Sequence, residues 1–536
     1  MKKRITNNNR RLKQWMIFGN AALAVSAMTS GLQAQSQTNS PSQSSDPLLN
    51  LMIKKGLLTE EEAAQVRAEA KTSQTNAASF PASKWVISDA IKSVELFGDV
   101  KFRYEYRSAQ SASIGGVILD RYRYALRFGL RGDVMDNFYY GIRLETATNP
   151  RSPWDTFATS SAASPYVGPF GKSNGGISLG QVYLGWRPES WLEVTFGKMP
   201  NPLYTTAMVW DTDINPEGLA EKFNYSMGDV DFFATLGQFF YEDTNPNSVS
   251  AGFLNVFPDG HSTSEAFLLA WQGGFIYHID KDMSFKLAST LYNYTGHGAD
   301  SSPVSNSPGF SDIFVGQGSP FDANGTQRPG SNSGPPGDNG NNADGFFFNQ
   351  TGINDLLILE FPFQFDFKIA RLNARVFGDF AANLDGAARA RNAVSAAAAT
   401  FDIPNPGQAG FKAQSNDDKA YQIGFAIGNR DDLGLVYGGK ALKGMWEARA
   451  YWQHVEQYAL DANLLDSDFF EGRGNLQGVY TALAYSFADN MIGTVRYGYA
   501  NRINKSLGTG GSNFDIPQVN PIEQYHLIQL DLTYRF

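Results

Sequence analysis

The sequence predicts an all-β fold, a transmembrane antiparallel β-barrel of about sixteen strands over residues 93–536, preceded by a short helical segment. Three observations predict it. From residue 93 the chain alternates apolar and polar side chains, which puts one kind on each face of a strand. Many alternating runs reach about ten residues, enough to cross a bilayer when tilted. The links between runs are alternately short and long, as in a barrel with turns at one rim and loops at the other. A soluble sandwich also alternates, but it demands no such parity.

The runs fall at 93–107, 120–132, 138–148, 177–187, 191–198, 221–227, 230–241 and 265–279. They continue at 284–296, 354–365, 368–384, 418–428, 443–458, 475–487, 491–503 and 523–536. In the first, Val94, Leu96, Val100, Phe102, Tyr104 and Tyr106 share one face and Glu95, Asp99, Lys101, Arg103, Glu105 and Arg107 the other. Tight turns are expected at 133–137, 188–190, 227–229, 280–283 and 488–490. Long connections are expected at 108–119, 149–176, 199–220, 242–264, 297–353, 385–417, 459–474 and 504–522. Link 429–442 is long for its rim and has room for another strand. Pro362, inside a run, predicts a bulge or a displaced turn. Between 221 and 241 the register blurs, because both faces carry Phe.

Composition agrees. Aromatic residues make up 13% of the chain and charged residues 18%, and the mean hydropathy is −0.31. A helical membrane protein shows runs of about 20 apolar residues, and none follows the N-terminus. Barrel strands dilute their apolar residues by alternation, so the average stays hydrophilic. The absence of cysteine excludes disulfides, thiolate metal sites and a cysteine nucleophile. Nothing in the chain has a nucleic-acid signature, and its net charge is −9.

Residues 1–34 read as a signal peptide. Lys2, Lys3, Arg4, Arg10, Arg11 and Lys13 precede an apolar stretch from Trp15 to Leu32, and Leu32-Gln33-Ala34 offers a cleavage site. The leucine at its −3 position leaves a cut after Ala27 open. Removing these six basic residues takes the net charge from −9 to −15. Export combined with a barrel implies the outer membrane of a Gram-negative cell, with its lipid and lipopolysaccharide as surroundings. Residues 35–45 form a polar linker, and 46–92 a short periplasmic helical segment and linker. There Asp46-Pro47 starts one helix, Gly56 stops it, and Thr59 with Glu62 forms a capping box for a second. Stretch 46–71 is suited to peptidoglycan contact, to trimerisation, or to serving as a spacer.

The last run, from Gln524, puts His526, Ile528, Leu530, Leu532, Tyr534 and Phe536 on one face and ends on Phe536. It resembles the terminal strand that barrel-assembly machinery reads in outer-membrane proteins. Gly197-Lys-Met-Pro-Asn-Pro, followed by Trp210-Asp-Thr-Asp-Ile-Asn-Pro-Glu-Gly-Leu-Ala220, resembles the putative porin family of Gram-negative bacteria. That family is distantly similar to phosphate-selective porins. Gly56-Leu-Leu-Thr-Glu-Glu-Glu is similar to the leader such proteins carry. The resemblance implies passive transport and names no solute.

No catalytic residue, cofactor or metal is expected, and the chain does not read as an enzyme. The histidines (His261, His278, His297, His454 and His526) lack metal-ligand spacing, and no phosphate-binding glycine loop opens a helix. Asp461, Asp466 and Asp468 read as solvated loop acids, with Ca²⁺ binding the other reading.

Residues alternating away from lipid should line a pore. Lys101, Arg103, Arg107, Arg121, Arg123, Arg127, Arg131 and Arg143 give the first three runs a basic face, and connection 199–220 carries Asp211, Asp213 and Glu217. Resemblance to trimeric sixteen-stranded porins implies a third loop folded inward, its carboxylates facing that wall across a constriction. Two other arrangements stay open. The arginines can pair with Glu95, Asp99, Glu105, Asp133 and Glu145, or the loop can fold outward. The expected function is a porin for small hydrophilic solutes and ions, assembled as a homotrimer. A sugar or phosphate channel, with Trp154, Trp186, Trp191, Trp210 and Tyr204 as an aromatic slide, is the first alternative. An adhesive barrel using 297–353 and 385–417 is the second.

Overall fold

The computed structural model describes residues 90–536 except 112–114, 148–151, 158–175, 243–265, 297–355, 389, 391–416, 440, 462, 506–508, 510–514, 517–518 and 520–521. The signal peptide, the linker and the helices expected before residue 90 lie outside the described residues. So do all of 297–353 and most of 385–417.

The strands are β1 (Glu95–Ser111), β2 (Gly115–Asp133), β3 (Phe138–Thr146), β4 (Asp155–Thr156), β5 (Ile177–Glu189) and β6 (Leu192–Lys198). Next come β7 (Glu217–Met227), β8 (Val230–Glu242), β9 (Ala266–His278), β10 (Ser284–Gly296) and β11 (Leu357–Ile369). The last are β12 (Leu372–Asn383), β13 (Lys419–Gly428), β14 (Trp446–Val455), β15 (Leu476–Ala488), β16 (Met491–Arg502) and β17 (Gln524–Arg535). All 17 form one sheet of antiparallel neighbours, and β17 pairs with β1 to close it. Sixteen strands make the barrel. The two-residue β4 only extends the edge of β2, opposite Arg123 and Tyr124.

Register sorts the side chains. Tyr104 stands opposite Leu530 and Tyr122, and Arg103 opposite Asp531 and Arg123. Phe102, Tyr122, Leu126, Phe128, Leu184, Phe196, Leu530 and Leu532 are exposed on the outward register. Such a continuous apolar belt would be a liability in water and suits lipid. Arg103, Glu105, Arg107, Arg123 and Asp531 are buried on the inward register.

Several boundaries differ from those the sequence predicts. Residues 108–111 and 115–119 belong to β1 and β2, paired up to Ser111 opposite Gly115. The small and polar side chains of 108–111, with Gly115 and Gly116, imitate a loop, although the backbone ladder continues. Glu217 opens β7, so the third long connection is 199–216. Pro362 causes no bulge. Its pairing with β12 is continuous, while the ladder to β10 skips from Phe363 to Glu360 in unchanged register, because proline has no N–H to donate. Among the described residues, link 429–445 holds a single 3₁₀ turn at Leu435–Tyr437 rather than a strand.

Candidate functional site: the barrel lumen

Connection 199–216 folds into the lumen. It leaves β6 and enters β7 between Gly197 and Gly218, which face each other across the two strands and have positive φ, 122° and 148°. Only glycine adopts such angles readily. Past this bend, the Tyr204 N–H donates to Gln272 Oε1 (2.8 Å) and its hydroxyl to Gln364 Oε1 (3.1 Å). The Thr205 hydroxyl donates to Glu360 (2.5 Å) and the Thr206 hydroxyl to Asp379 (2.5 Å). All four acceptors lie on the inward register of β9, β11 and β12. Trp210 packs on Phe239 and Tyr292, and Tyr204 meets Phe233 edge-on. This explains the blurred register of 221–241: Phe233 and Phe239 face inward because the loop brings aromatic rings to meet them.

A second connection, 456–475, overlies the first. The Asp211 N–H donates to Leu464 O (2.6 Å), and both N–H and Oγ of Ser467 donate to Asp211 Oδ2 (3.1 and 3.0 Å). Asp461, expected in solvent, is buried and accepts from the hydroxyls of Tyr241 and Tyr294 (2.9 and 2.8 Å). Burial, with Asp466 and Asp213 nearby, raises the Asp211 carboxyl well above the ordinary range. Burial and the neighbouring Asp468 push Asp466 up to about 7. Asp468 goes the other way: despite burial, Arg103 and Arg107 hold it well below the usual carboxylate range.

From the short-turn rim, 429–445 also turns inward. Leu433, Leu435 and Val436 are buried, Glu447 accepts from the Leu435 N–H (2.6 Å), and Arg449 and Arg496 donate to Leu433 O and Val436 O (2.9 Å each).

The basic residues of β1–β3 meet acids directly. Arg103 reaches Asp531 and Asp468, both at 2.8 Å. Glu105, fully buried, gathers Arg107 (3.0 Å), Arg121 (2.5 Å) and Arg123 (3.7 Å). Arg127 holds Asp99 at 2.7 Å, Arg131 holds Glu95 at 2.7 Å, and Arg143 holds Glu145 at 3.1 Å. Lys101 lies 4.0 Å from Asp99. Trp154 lies against this wall, the Arg103 guanidinium 4.0 Å from its ring centre.

The three loop acids separate. Asp213 contacts the wall, with Arg127 Nη1 3.4 Å from its Oδ1. Asp211 is occupied by Ser467. Glu217 lies opposite Lys198 and pairs with it at 2.5 Å, on the register that continues outward through Phe196. The five aromatic residues divide as well. Trp154, Tyr204 and Trp210 are in the lumen, while Trp186 and Trp191 stack on Phe138 and Phe223 in the outward belt. Sequence reasoning missed Gln272, Glu360 and Asp379, which hold the loop, and Lys222 and Lys286 beside it. Period-two alternation along 284–296 carries the signal for Lys286, which shares a face with Thr290 and Tyr292.

Two cavities flank the loop toward the short-turn rim. One, of about 490 Å³, is bordered by Tyr204, Lys222, Asn224, Asp231, Phe233 and Lys286. The other, of about 520 Å³, is bordered by Arg131, Tyr139, Tyr183, Arg187, Glu193 and Lys222.

A closed antiparallel barrel, apolar outside, charged inside and narrowed by its own connections, defines the class of membrane-spanning channel barrels. Residues 118–536 match the family described as "Putative porin", and the chain belongs to that family. No curated protein matches the sequence. Among solved structures the chain is similar to OmpT, an outer membrane protein of Vibrio cholerae. Identity there is 11%, coverage 85% of this chain and 100% of that one, and the TM-score 0.37. It is also similar to OprB of Pseudomonas putida, at 11% identity, 83% and 94% coverage and a TM-score of 0.43. A mutant of the Rh. blastica porin matches at 9% identity, 83% and 100% coverage and a TM-score of 0.36.

Proposed function

We propose that this protein is an outer-membrane porin, a water-filled channel for passive diffusion of small hydrophilic solutes and ions, and not an enzyme. The observation that carries the reading is the seating of connection 199–216 inside a barrel whose inward register is charged and whose outward register is apolar. A loop held there by Gln272, Gln364, Glu360 and Asp379 sets the width of any aqueous path. Family membership supports it. The constriction lies between this loop and the wall of β1–β3, with Arg127 and Asp213 at the contact and Lys101, Arg103, Arg121, Arg123 and Arg143 around it. Because those cations are ion-paired, the wall supplies an ordered field more than a net positive charge.

Export through a cleaved signal peptide, assembly through the terminal strand, embedding among lipid and lipopolysaccharide, trimerisation and peptidoglycan contact through 46–71 complete the proposal. Single-channel recording in planar bilayers tests it. Stepwise conductance is expected, and its absence sinks the porin reading. A second reading, a substrate-selective channel, is favoured by the two cavities bordered by Tyr139, Tyr183 and Tyr204. Saturable block by one solute would distinguish it from general diffusion.

A further inference from the structure

The lumen's cations are not all matched. Among the described residues, Lys222 on β7 and Lys286 on β10 form no ion pair, and both border the 490 Å³ cavity beneath connection 199–216. The carboxylates that could neutralise them are engaged elsewhere. Glu193, opposite Lys222 in the register, takes Arg187 Nε at 2.9 Å. Asp366 takes Arg375 Nε at 2.5 Å. Asp231, among the described residues the one carboxylate bordering the cavity, is bonded to His278 at 2.7 Å. Two ammonium groups therefore face one carboxylate. In the neighbouring 520 Å³ cavity, which Lys222 also borders, Arg131 and Arg187 are paired with Glu95, Asp133 and Glu193.

The surroundings of Lys286 specify more than charge. Its Nζ lies 3.7 Å from the ring centre of Tyr204 and 5.1 Å from that of Phe233. The rings are 6.4 Å apart and nearly perpendicular, at 88°. Tyr204 is fixed by Gln272 and Gln364, so this corner is preorganised. Aromatic faces hold the ammonium in place without neutralising it, which leaves its charge available to an incoming anion. The same rings offer a flat apolar surface. Among the described residues, no arginine fork borders the cavity to grip a phosphate in two-pronged fashion. Asn224 and Thr235 supply hydrogen-bonding groups of ordinary strength. A volume of about 490 Å³ is within the range of small-molecule sites.

We infer that the cavity under connection 199–216 is a binding site for small organic monocarboxylates. Lys222 and Lys286 take the carboxylate, and Tyr204 and Phe233 pack against its apolar body. This deepens the porin reading by naming a solute class, and it puts anion binding on the wall opposite the ion-paired arginines of β1–β3.

The test uses the full-length protein in detergent micelles. Benzoate binding is measured by isothermal titration calorimetry for the wild type, for Lys222→Gln/Lys286→Gln and for Lys222→Arg/Lys286→Arg. Heat-modifiable gel migration confirms that each barrel is folded. Saturable binding by the wild type is expected, weakened at least about tenfold in the glutamine pair, as loss of charged hydrogen bonds implies, and largely retained in the arginine pair. Inorganic phosphate and glucose should bind more weakly than benzoate. No saturable benzoate binding by the wild type, or equal binding by the glutamine pair, overturns the inference. Conductance of the same preparation is a separate readout: binding without conductance supports the anion site and sinks the porin reading.

Discussion

Gly197 stands directly opposite Gly218, and both have positive φ where connection 199–216 bends into the lumen. A Cβ on Gly197 would fall 2.3 Å from Val182 O, and one on Gly218 2.2 Å from Gln238 O. Both contacts are with backbone that the barrel cannot move. Gly197→Ala or Gly218→Ala therefore combines a left-handed conformation, costing about 1–2 kcal/mol, with a clash. The thermal midpoint of the detergent-solubilised barrel should fall in each variant. Protease cleavage within 199–216 should become faster. An unchanged midpoint and unchanged cleavage would mean that the bend is not held by these glycines.

The hydroxyls of Thr205 and Thr206 anchor the far side of the same loop to Glu360 and Asp379, carboxylates almost fully buried in the wall. Thr205→Val/Thr206→Val keeps the side-chain shape and removes both donors. Each loss leaves a buried acceptor short of a partner, at about 1–3 kcal/mol. The loop should loosen while the sixteen-strand ladder survives. The expected result is noisier or larger single-channel conductance with unchanged heat-modifiable migration; equal conductance and noise would show that these hydroxyls do not hold the constriction.

Much of the barrel was legible in the sequence, because a strand's faces follow from alternation alone. The runs around Tyr104, Tyr124 and Ile528 needed no tertiary information. What alternation cannot report is which inward groups meet. Glu105 reads as one acid among arginines, yet only closure of β1 onto β17 brings Gln529 to it and Asp531 to Arg103. The fold of 456–475 was hidden for the same reason. Asp461, Asp466 and Asp468 have the composition of a solvated loop, and their burial depends on tyrosines and arginines far away in the chain. Lys222 and Lys286 were overlooked because the arginines of β1–β3 dominate the sequence, while their pairing appears only in three dimensions.

Asp211 and Asp466 stand where 199–216 meets 456–475: Asp211 accepts from Ser467, and the Asp466 N–H donates to Ala207 O at 3.3 Å. Both carboxyls are raised, Asp466 to about 7 and Asp211 in the same direction. An acid raised in the folded state favours folding fully below its unfolded pKa, and that contribution is lost as pH rises through the folded value. The contact should therefore weaken on going from about pH 6 to pH 8. Asp468 has the opposite sign: its pairing with Arg103 and Arg107 is retained at neutral pH and lost only in acid. Hydrogen exchange at Leu464–Asp468, corrected for its intrinsic pH dependence, should accelerate across that interval in the wild type. It should respond less in Asp466→Asn, which fixes the neutral state. A parallel pH response in both proteins would exclude Asp466 as the titrating group.

Among the described residues, Arg127 is the one arginine of the wall paired with connection 199–216, reaching Asp213 at 3.4 Å while holding Asp99 at 2.7 Å. Its replacement separates a structural role from an electrostatic one. Arg127→Gln takes from Asp213 the cation it touches and leaves Asp99 with Lys101, 4.0 Å away; breaking a buried pair costs about 3–5 kcal/mol, reduced here because Lys101 remains. Arg127→Glu adds repulsion. If ions pass this contact, a unit charge about 4 Å from their path is worth about 1 kcal/mol in water, roughly fivefold in a permeability ratio. Reversal potentials in a salt gradient should therefore move toward cation preference in Arg127→Gln and further in Arg127→Glu. Arg187→Gln, on β5 at the short-turn rim, should move them less. A loss of thermal stability with unchanged reversal potential would make Arg127 a strut between wall and loop and place the ion path along Lys222 and Lys286 instead.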